Sequence, residues 1–282
     1  MPASYRYLLV DVFTDTPLAG NRLCVFTNAM GMSDELMQRL ALEFNFSETT
    51  FVTPAERGGH AKMRIFTPTR ELPFAGHPTL GTAFALAGPL QSSVVTLETG
   101  AGKVPVQLER EGAKLVFGRM EQPLPRSLPC EHSEEILGAL GVERSELPLA
   151  CYDNGVRHLF VALPNRNAVA ALKPNFAELE RIAPELCYSC FCAEGAKVKT
   201  REFAPGLGVI EDPATGSAAG PLAVHLARNG VIEWGEQIVI SQGAEIARPS
   251  RLYACAEAVD GVVTRVEVGG SAVVVGRGEF RV

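Results

Sequence analysis

The amino-acid sequence predicts an α+β protein built from two similar, pseudo-symmetric halves. The first observation is a repeat. Arg64-Ile65-Phe66-Thr67-Pro68 matches Arg201-Glu202-Phe203-Ala204-Pro205 as R-x-F-[TA]-P. His77-Pro78-Thr79-Leu80-Gly81-Thr82-Ala83 matches Asp212-Pro213-Ala214-Thr215-Gly216-Ser217-Ala218 as [HD]-P-x-x-G-[TS]-A. Two matches in one order and at nearly one spacing indicate an internal duplication. The second observation is that each half carries several short strand-like runs and two helical ones, without the regular alternation of a doubly wound sheet; the strands are expected to be mostly antiparallel. The third is a seam. Residues 121–132, EQPLPRSLPCEH, are Pro-rich and polar and read as a domain boundary. The expected domains are 1–122 and 130–282, with the last strand, near 274–282, leaning back onto the first.

The elements follow in order. Residues 5–13 read as a buried strand, 14–21 as a turn-rich loop and 23–27 as a second strand. Ser33 caps a helix whose apolar positions Leu36, Met37, Leu40, Ala41 and Phe44 recur at helical spacing up to Asn45. A strand over 49–52 follows, so Glu48 stands where a helix gives way to a strand. Residues 62–66 form the strand of the first repeat block, and the helix after His77 is expected to stop at Gly88-Pro89. Strands over 94–99, 103–110 and 114–117 complete the first half. In the second, 133–140 and 175–183 read as helices, and 156–163 and 197–203 as strands. Asp212-Pro213 reads as the start of the second central helix, with Asp as N-cap and Pro at the first helical position; Asn229-Gly230 ends that helix. Strands over 237–241, 252–258, 262–268 and 272–276 finish the chain, with Asp260-Gly261 as a hairpin turn.

Composition excludes several functions. The formal net charge of −6, with no basic run, argues against nucleic acid and anionic membrane as partners. No apolar stretch approaches the length of a membrane span, and residues 1–13 lack the pattern of a signal peptide. Seven scattered cysteines read as reduced thiols in a cytoplasmic protein. Cys187, Cys190 and Cys192 lie close together without a second Cys/His cluster at zinc spacing, so no metal is expected.

His77 opens a helix where Ser, Thr, Asp or Asn would cap better, which leaves a site role or a packed imidazole. Asp212 is either a cap or, matched to His77 by the repeat, a site residue. Glu48 is either a solvated loop charge or a carboxylate aimed into a cleft. Ser217 and Thr82 could donate to a ligand or satisfy their own helix. Gly76, Gly81 and Gly216 would allow close backbone approach. Helix N-termini in each block would suit a carboxylate-bearing small molecule. His158 reads as a strand-face residue and His225 as a packed imidazole. No dinucleotide fingerprint, P-loop or nucleophile elbow occurs, so no cofactor is called for.

These motifs resemble a known family. Gly20-Asn21-Arg22-Leu23-Cys24-Val25, FSETTFV over 46–52, RIFTPTRELPFAGHPTLGTA over 64–83, EDPATGSA over 211–218, SQG over 241–243 and RPS over 248–250 are similar to the PhzF-like phenazine-biosynthesis family along nearly the whole chain. The resemblance implies a diaminopimelate-epimerase-like fold, each domain a sheet wrapped around a central helix, with the site between domains. It implies a homodimer, no cofactor, and isomerisation by a proton shift, as for dihydro-3-hydroxyanthranilate in phenazine synthesis. Carried over by motif, Glu48 is the proton-shuttling glutamate, His77 and Asp212 hold and polarise the substrate, and Gly76 and Ser217 contact it. A carboxylate can take and return a proton if burial raises its pKa. Leu207 and Ile210, before the second block, are expected to make one wall of the site more apolar than usual.

Two rival functions remain at this level. A two-base epimerase of the same fold uses one thiol per domain in the cleft loops, but this chain has no Cys between Cys24 and Cys130 or between Cys192 and Cys255. With Phe191 set opposite Phe51, Tyr188 falls opposite Glu48, so no second base is expected. A non-catalytic protein-binding relative would have no need of Glu48, His77 and Asp212 together.

Overall fold

The computed structural model describes residues 3–90 and 92–282, with Pro89 and Leu90 described by backbone alone. The chain divides into two compact units, residues 1–121 with 269–282, and residues 122–268. In unit 1 the order is β1 (Ser4–Val12), β2 (Asn21–Phe26), α1 (Asp34–Phe44), β3 (Glu48–Thr53), β4 (Ala61–Phe66), β5 (Glu71–Leu72), α2 (Gly76–Leu90), β6 (Val94–Thr99), β7 (Gly102–Glu111) and β8 (Lys114–Glu121). In unit 2 it is β9 (Arg126–Leu128), α3 (Ser133–Leu140), β10 (Ala150–Asp153), β11 (Arg157–Ala162), α4 (Arg166–Ala170), α5 (Phe176–Ile182), β12 (Leu186–Glu194), β13 (Lys197–Ala204), β14 (Val209–Asp212), α6 (Gly216–Arg228), β15 (Ile238–Gln242), β16 (Ser250–Val259) and β17 (Val262–Gly270). The last strand, β18 (Ala272–Arg281), pairs antiparallel with β1 in unit 1.

Both units repeat one pairing scheme. β1 is antiparallel to β2, β2 parallel to β3, β3 antiparallel to β4, β4 parallel to β6, and β6 antiparallel to β7. β10, β11, β12, β13, β15 and β16 repeat this series with the same directions. A parallel step needs a crossover, and helices supply it: α1 and α2 in unit 1, α4–α5 and α6 in unit 2. The fold is therefore α+β and mostly antiparallel, as the sequence predicts.

α2 and α6 are the two centres. Every residue from Gly216 to Ala227 is buried. A helix buried all round needs mostly small and apolar residues, and the runs of Ala, Gly and Leu in both helices supply them, with a few buried polar side chains such as His77, Ser217 and His225 among them. Small residues let neighbours come close. A Cβ on Gly81 would lie 2.6 Å from both Val12 and Leu23, and one on Gly220 would meet Val266 at 2.4 Å. The R-x-F motif also has a structural cause. Arg64 grips Glu71 of β5 through two nitrogens at 2.7 and 2.6 Å and sits over the Phe66 ring. Arg201 grips Glu211 of β14 at 2.9 and 2.7 Å and sits over Phe203. Each clamp ties the short strand before the central helix to the sheet.

Three local expectations are corrected. α2 does not stop at Gly88-Pro89 but runs to Leu90; a proline in the last turn removes one backbone donor without stopping the turn already formed. α6 does not start at Asp212-Pro213. Asp212 ends β14, and the helix starts at Gly216 after Thr215, whose side chain makes no cap bond. β12 was not expected as a strand, because its LCYSCFCAE run shows no alternation. Its residues 187–192 are all buried, as in a strand covered on both faces.

Candidate functional site

Each unit assembles its own polar group at the start of its central helix. In unit 1, α1 closes at Asn45 in the left-handed region, and the chain turns into β3 with Glu48 at its first position, level with Leu23 of β2. His77 is the second residue of α2. Its Nδ1 lies 3.2 Å from Glu48 Oε2, the Glu48 side chain being 15% exposed, and 3.4 Å from Asn21 Nδ2. Burial pushes the His77 pKa down to about 3, against the pull of a hydrogen bond with the Arg22 backbone. The ring is therefore neutral at pH 7, and the contact is carboxylate to neutral imidazole rather than an ion pair. His77 Nε2 is buried without a hydrogen-bond partner.

In unit 2 the loop before α6 is held by the glutamine of the SQG motif. Gln242 Nε2 donates to the Asp212 carbonyl at 2.8 Å and to Thr215 Oγ1 at 2.9 Å, while its Oε1 accepts from the Thr215 backbone N–H and Thr200 Oγ1 at 3.2 Å each. Thr215 Oγ1 donates to Asp212 Oδ2 at 2.6 Å, so this carboxylate braces the loop instead of capping the helix. Gln122 Nε2 donates to the Gly216 carbonyl at 2.7 Å. Asn154 Nδ2 donates to the Ser217 carbonyl at 2.9 Å. That carbonyl is the one Pro221, four residues on, has no N–H to serve.

Ser217 leads to residues that sequence reasoning missed. Its Oγ lies 3.1 Å from His158 Nε2, and His158 Nδ1 lies 2.8 Å from Glu202 Oε1. His158 and Glu202 are 0% and 1% exposed. The Cys187 Sγ joins this group, its donor atom within 4.8 Å of those of His158 and Glu202. The group is a hydrogen-bonded chain rather than a metal cage. Both ring nitrogens of His158 are engaged, and 2.8 Å is a hydrogen-bond spacing, shorter than ligands spread tetrahedrally at about 2 Å around one ion would adopt.

The strand registers correct the alignment of the halves. Thr49, Thr50 and Phe51 pair with Phe66, Ile65 and Arg64; Tyr188, Ser189 and Cys190 pair with Phe203, Glu202 and Arg201. Since Arg64-Ile65-Phe66 repeats as Arg201-Glu202-Phe203, Cys190 stands opposite Phe51, and Cys187 rather than Tyr188 takes the place of Glu48. Tyr188 instead donates its hydroxyl to the Leu179 carbonyl at 3.0 Å. The helix blocks shift as well. Glu71 and Glu211 both bind the motif arginine, and three residues separate each short strand from Gly76 or Gly216 at the helix start. The structural repeat is E-x-P-x-x-G-[HS], so His77 corresponds to Ser217, and Asp212 to Leu72. Leu207 is also reassigned. It packs with Cys187 and Ala204 in a small core cluster, while Ile210 is 54% exposed.

Comparisons with known proteins agree with this architecture. The family model described as "Phenazine biosynthesis-like protein" matches residues 10–278. A trans-2,3-dihydro-3-hydroxyanthranilate isomerase of Pseudomonas chlororaphis is 47% identical over 274 residues, 97% of this chain and 98% of that protein. One from Pseudomonas aeruginosa is 48% identical over 267 residues, 95% and 96% of the two chains. The crystal structure of a Bacillus anthracis phenazine biosynthesis protein of the PhzF family matches at a TM-score of 0.87 and 27% identity, covering 99% of this chain and 100% of that one. A hydroxyproline epimerase from Agrobacterium vitis matches at a TM-score of 0.67 and 15% identity over 99% and 91% of the chains, a likeness of fold alone. The chain belongs to the PhzC-PhzF family of phenazine biosynthesis-like proteins and is an isomerase.

Proposed function

We propose that this isomerase moves a proton within a small cyclic amino acid that bears a carboxylate, with Glu48 as the group that takes the proton and returns it. The observation that carries the reading is the unit 1 couple, a partly exposed Glu48 carboxylate 3.2 Å from a buried, neutral His77. A neutral imidazole polarises a ligand without neutralising the carboxylate beside it, and its unpartnered Nε2 is available to that ligand. By the family motif, Asp212 and Ser217 are assigned to holding the substrate, and Gly76 and Gly216 are the backbone positions that admit it. The substrate is trans-2,3-dihydro-3-hydroxyanthranilate or a close analogue, a choice supported by relatives of that name at 45–48% identity. The family resemblance extends the proposal to a cytoplasmic homodimer, which light scattering on the purified chain tests.

Glu48→Gln is the decisive experiment on the reaction. Gln keeps the shape and can still hydrogen-bond, but it cannot hold a proton reversibly near neutral pH. Turnover should fall by at least ~10²–10⁴-fold while substrate binding survives. In deuterated water the wild type should place deuterium on a product carbon. Near-wild-type turnover by Glu48→Gln would remove Glu48 from the mechanism. One further observation serves the two-base alternative, the Cys187 thiol in the place matching Glu48. Cys187→Ala separates the two readings, since a single-carboxylate reaction keeps its turnover and a two-base reaction loses it.

A further inference from the structure

The Glu202–His158–Ser217 chain is not needed to build the fold. In unit 1 the strand register sets Leu23 at the place of His158 and Ile65 at the place of Glu202, both fully buried. The same architecture is thus filled with two aliphatic side chains in one half and with an imidazole and a carboxylate in the other. Burying that pair costs desolvation that the aliphatic pair avoids, and replacing such pairs by apolar residues is often neutral or stabilising. Ser217, in turn, holds the helix position that His77 holds in unit 1. One unit presents an imidazole there directly; the other presents a hydroxyl backed by an imidazole.

Hydrogen-bond roles along the chain follow from chemistry. A carboxylate accepts, so Glu202 Oε1 takes the Nδ1–H of His158 at 2.8 Å. With Nδ1 donating, an imidazole that holds a single proton offers Nε2 as an acceptor, and the Ser217 hydroxyl lies 3.1 Å from it. With its proton committed inward, Ser217 Oγ has lone pairs left to offer. This is the orienting logic of a serine–histidine–carboxylate triad, used here to fix a donor–acceptor pattern. We propose that His158 and Glu202 are positioning residues that make Ser217 an obligate acceptor, so that it reads an N–H or O–H donor of the substrate, the amino or hydroxyl group, and not its carboxylate. The proposal rests on the substrate class proposed above and on Ser217 as a contact of that substrate.

Two measurements test it separately from the reaction. Nitrogen-15 NMR of the full chain should show His158 protonated at Nδ1 and unprotonated at Nε2, with the Nε2 resonance moved by Ser217→Ala. A wild-type Nε2 that carries the proton would overturn the proposal, whatever the substrate. The second is the double variant His158→Leu/Glu202→Ile, which copies the residues of unit 1 and should keep the wild-type melting temperature. Its kcat/KM for trans-2,3-dihydro-3-hydroxyanthranilate should fall about 10- to 100-fold, chiefly through KM, as for loss of one oriented polar contact. Adding Ser217→Ala should cost nothing more, because the three residues act as one unit. Wild-type protein should prefer 3-hydroxyanthranilate over 3-hydroxybenzoate, which lacks the amine, or over anthranilate, which lacks the hydroxyl, and the double variant should lose whichever preference wild type shows. A folded double variant with wild-type KM and preference overturns the proposal. If the double variant fails to fold, the comparison passes to Glu202→Gln, which keeps an acceptor and should keep the preference, against Glu202→Met, which should lose it; equal behaviour of the two overturns the proposal. Failure of wild type to turn over the dihydro compound would instead remove the substrate proposal, and the NMR result would still decide the chain.

Discussion

A buried histidine beside a carboxylate is often taken as a charged pair, but His77 is a neutral group. Burial holds its pKa near 3, so it takes no proton from a carboxylate at pH 7 and serves as a hydrogen-bonding partner. On the role proposed for it, orienting the ligand as well as polarising it, His77→Ala should damage binding and turnover together. Asp212→Ala should do the same by a second route, since Thr215 loses its acceptor and the loop before α6 loosens. Steady-state kinetics check both; a change confined to kcat would contradict the orienting role. At this scale the sequence gives Glu48, His77 and Ser217 by motif. It hides His158 and Glu202, which lie 59 and 15 residues from Ser217 and look like strand residues until the sheet brings them together. No spacing rule would find them. A buried polar residue where the other repeat has an aliphatic one is the signal, and reading it needs the strand register.

Elements carry the next set of consequences. The class of the fold and most helices and strands were legible because their causes are local: a Ser33 cap that accepts from the Leu36 N–H, an Asn45 terminator, and Asp260 and Gly261 both in the left-handed region between β16 and β17. The start of α6 was misread because Asp-Pro is a good local start. Tertiary bonds from Gln242 override it by holding Asp212 and Thr215 in the preceding loop. Within α6, His225 lies against Phe160, Phe191 and Tyr152, and burial pushes its pKa to about 4 with Arg228 acting in the same direction. An unfolded histidine titrates near 6.5. As pH falls from about 6.5 to 4, the unfolded chain takes up a proton at this site that the folded chain refuses, so the His225 contribution drops through that window, and His77, held near 3, adds a loss of the same sign that runs on to lower pH. The His225 loss amounts to ~3 kcal/mol at one pKa unit per ~1.4 kcal/mol. His225→Phe should make the fall of urea midpoints from pH 6.5 to 4 less steep than in wild type, the remaining slope including that of His77. Parallel curves for the two proteins would mean that His225 is not the titrating group. Glu98 acts in the same direction at lower pH. Burial works to raise its pKa, but the backbone N–H groups of Glu56, Gly59 and Arg57 outweigh it and hold it below the usual range.

For the whole molecule, the point of interest is that unit 1 is discontinuous in sequence. Its first strand meets the end of the chain: β1 and β18 pair at nine positions, from Ser4 with Arg281 to Val12 with Ala272. Beyond the strands, Ala3 and Val282 exchange a reciprocal pair of backbone hydrogen bonds at 2.7 and 3.0 Å. Phe280 packs its ring 5.9 Å from Phe44 at the edge of the cluster that includes Phe26, Phe51 and Phe66. Ser271 accepts from the Thr14 N–H and donates to the Val116 carbonyl, tying the entry of β18 to both ends of the unit. The Pro-rich seam at 121–132 marks one passage between units; at the return, Gly269-Gly270-Ser271 marks a break between two strands but has no Pro-rich or charged stretch that would mark a change of unit. Deleting residues 272–282 should strip β1 of one neighbour, expose a long edge, and remove an aromatic from the α1 side of the core. Against a total of about 5–15 kcal/mol, the loss of an edge-covering strand and its ring is enough to open unit 1. Hydrogen exchange read by mass spectrometry should show amides of β1, β2 and β3 losing protection, while those of β11, β12 and β13 keep theirs. Full protection of β1 in the truncated chain would show that β18 is an ornament of unit 1. Loss of protection in both units at once would show that they unfold as one body and not as two.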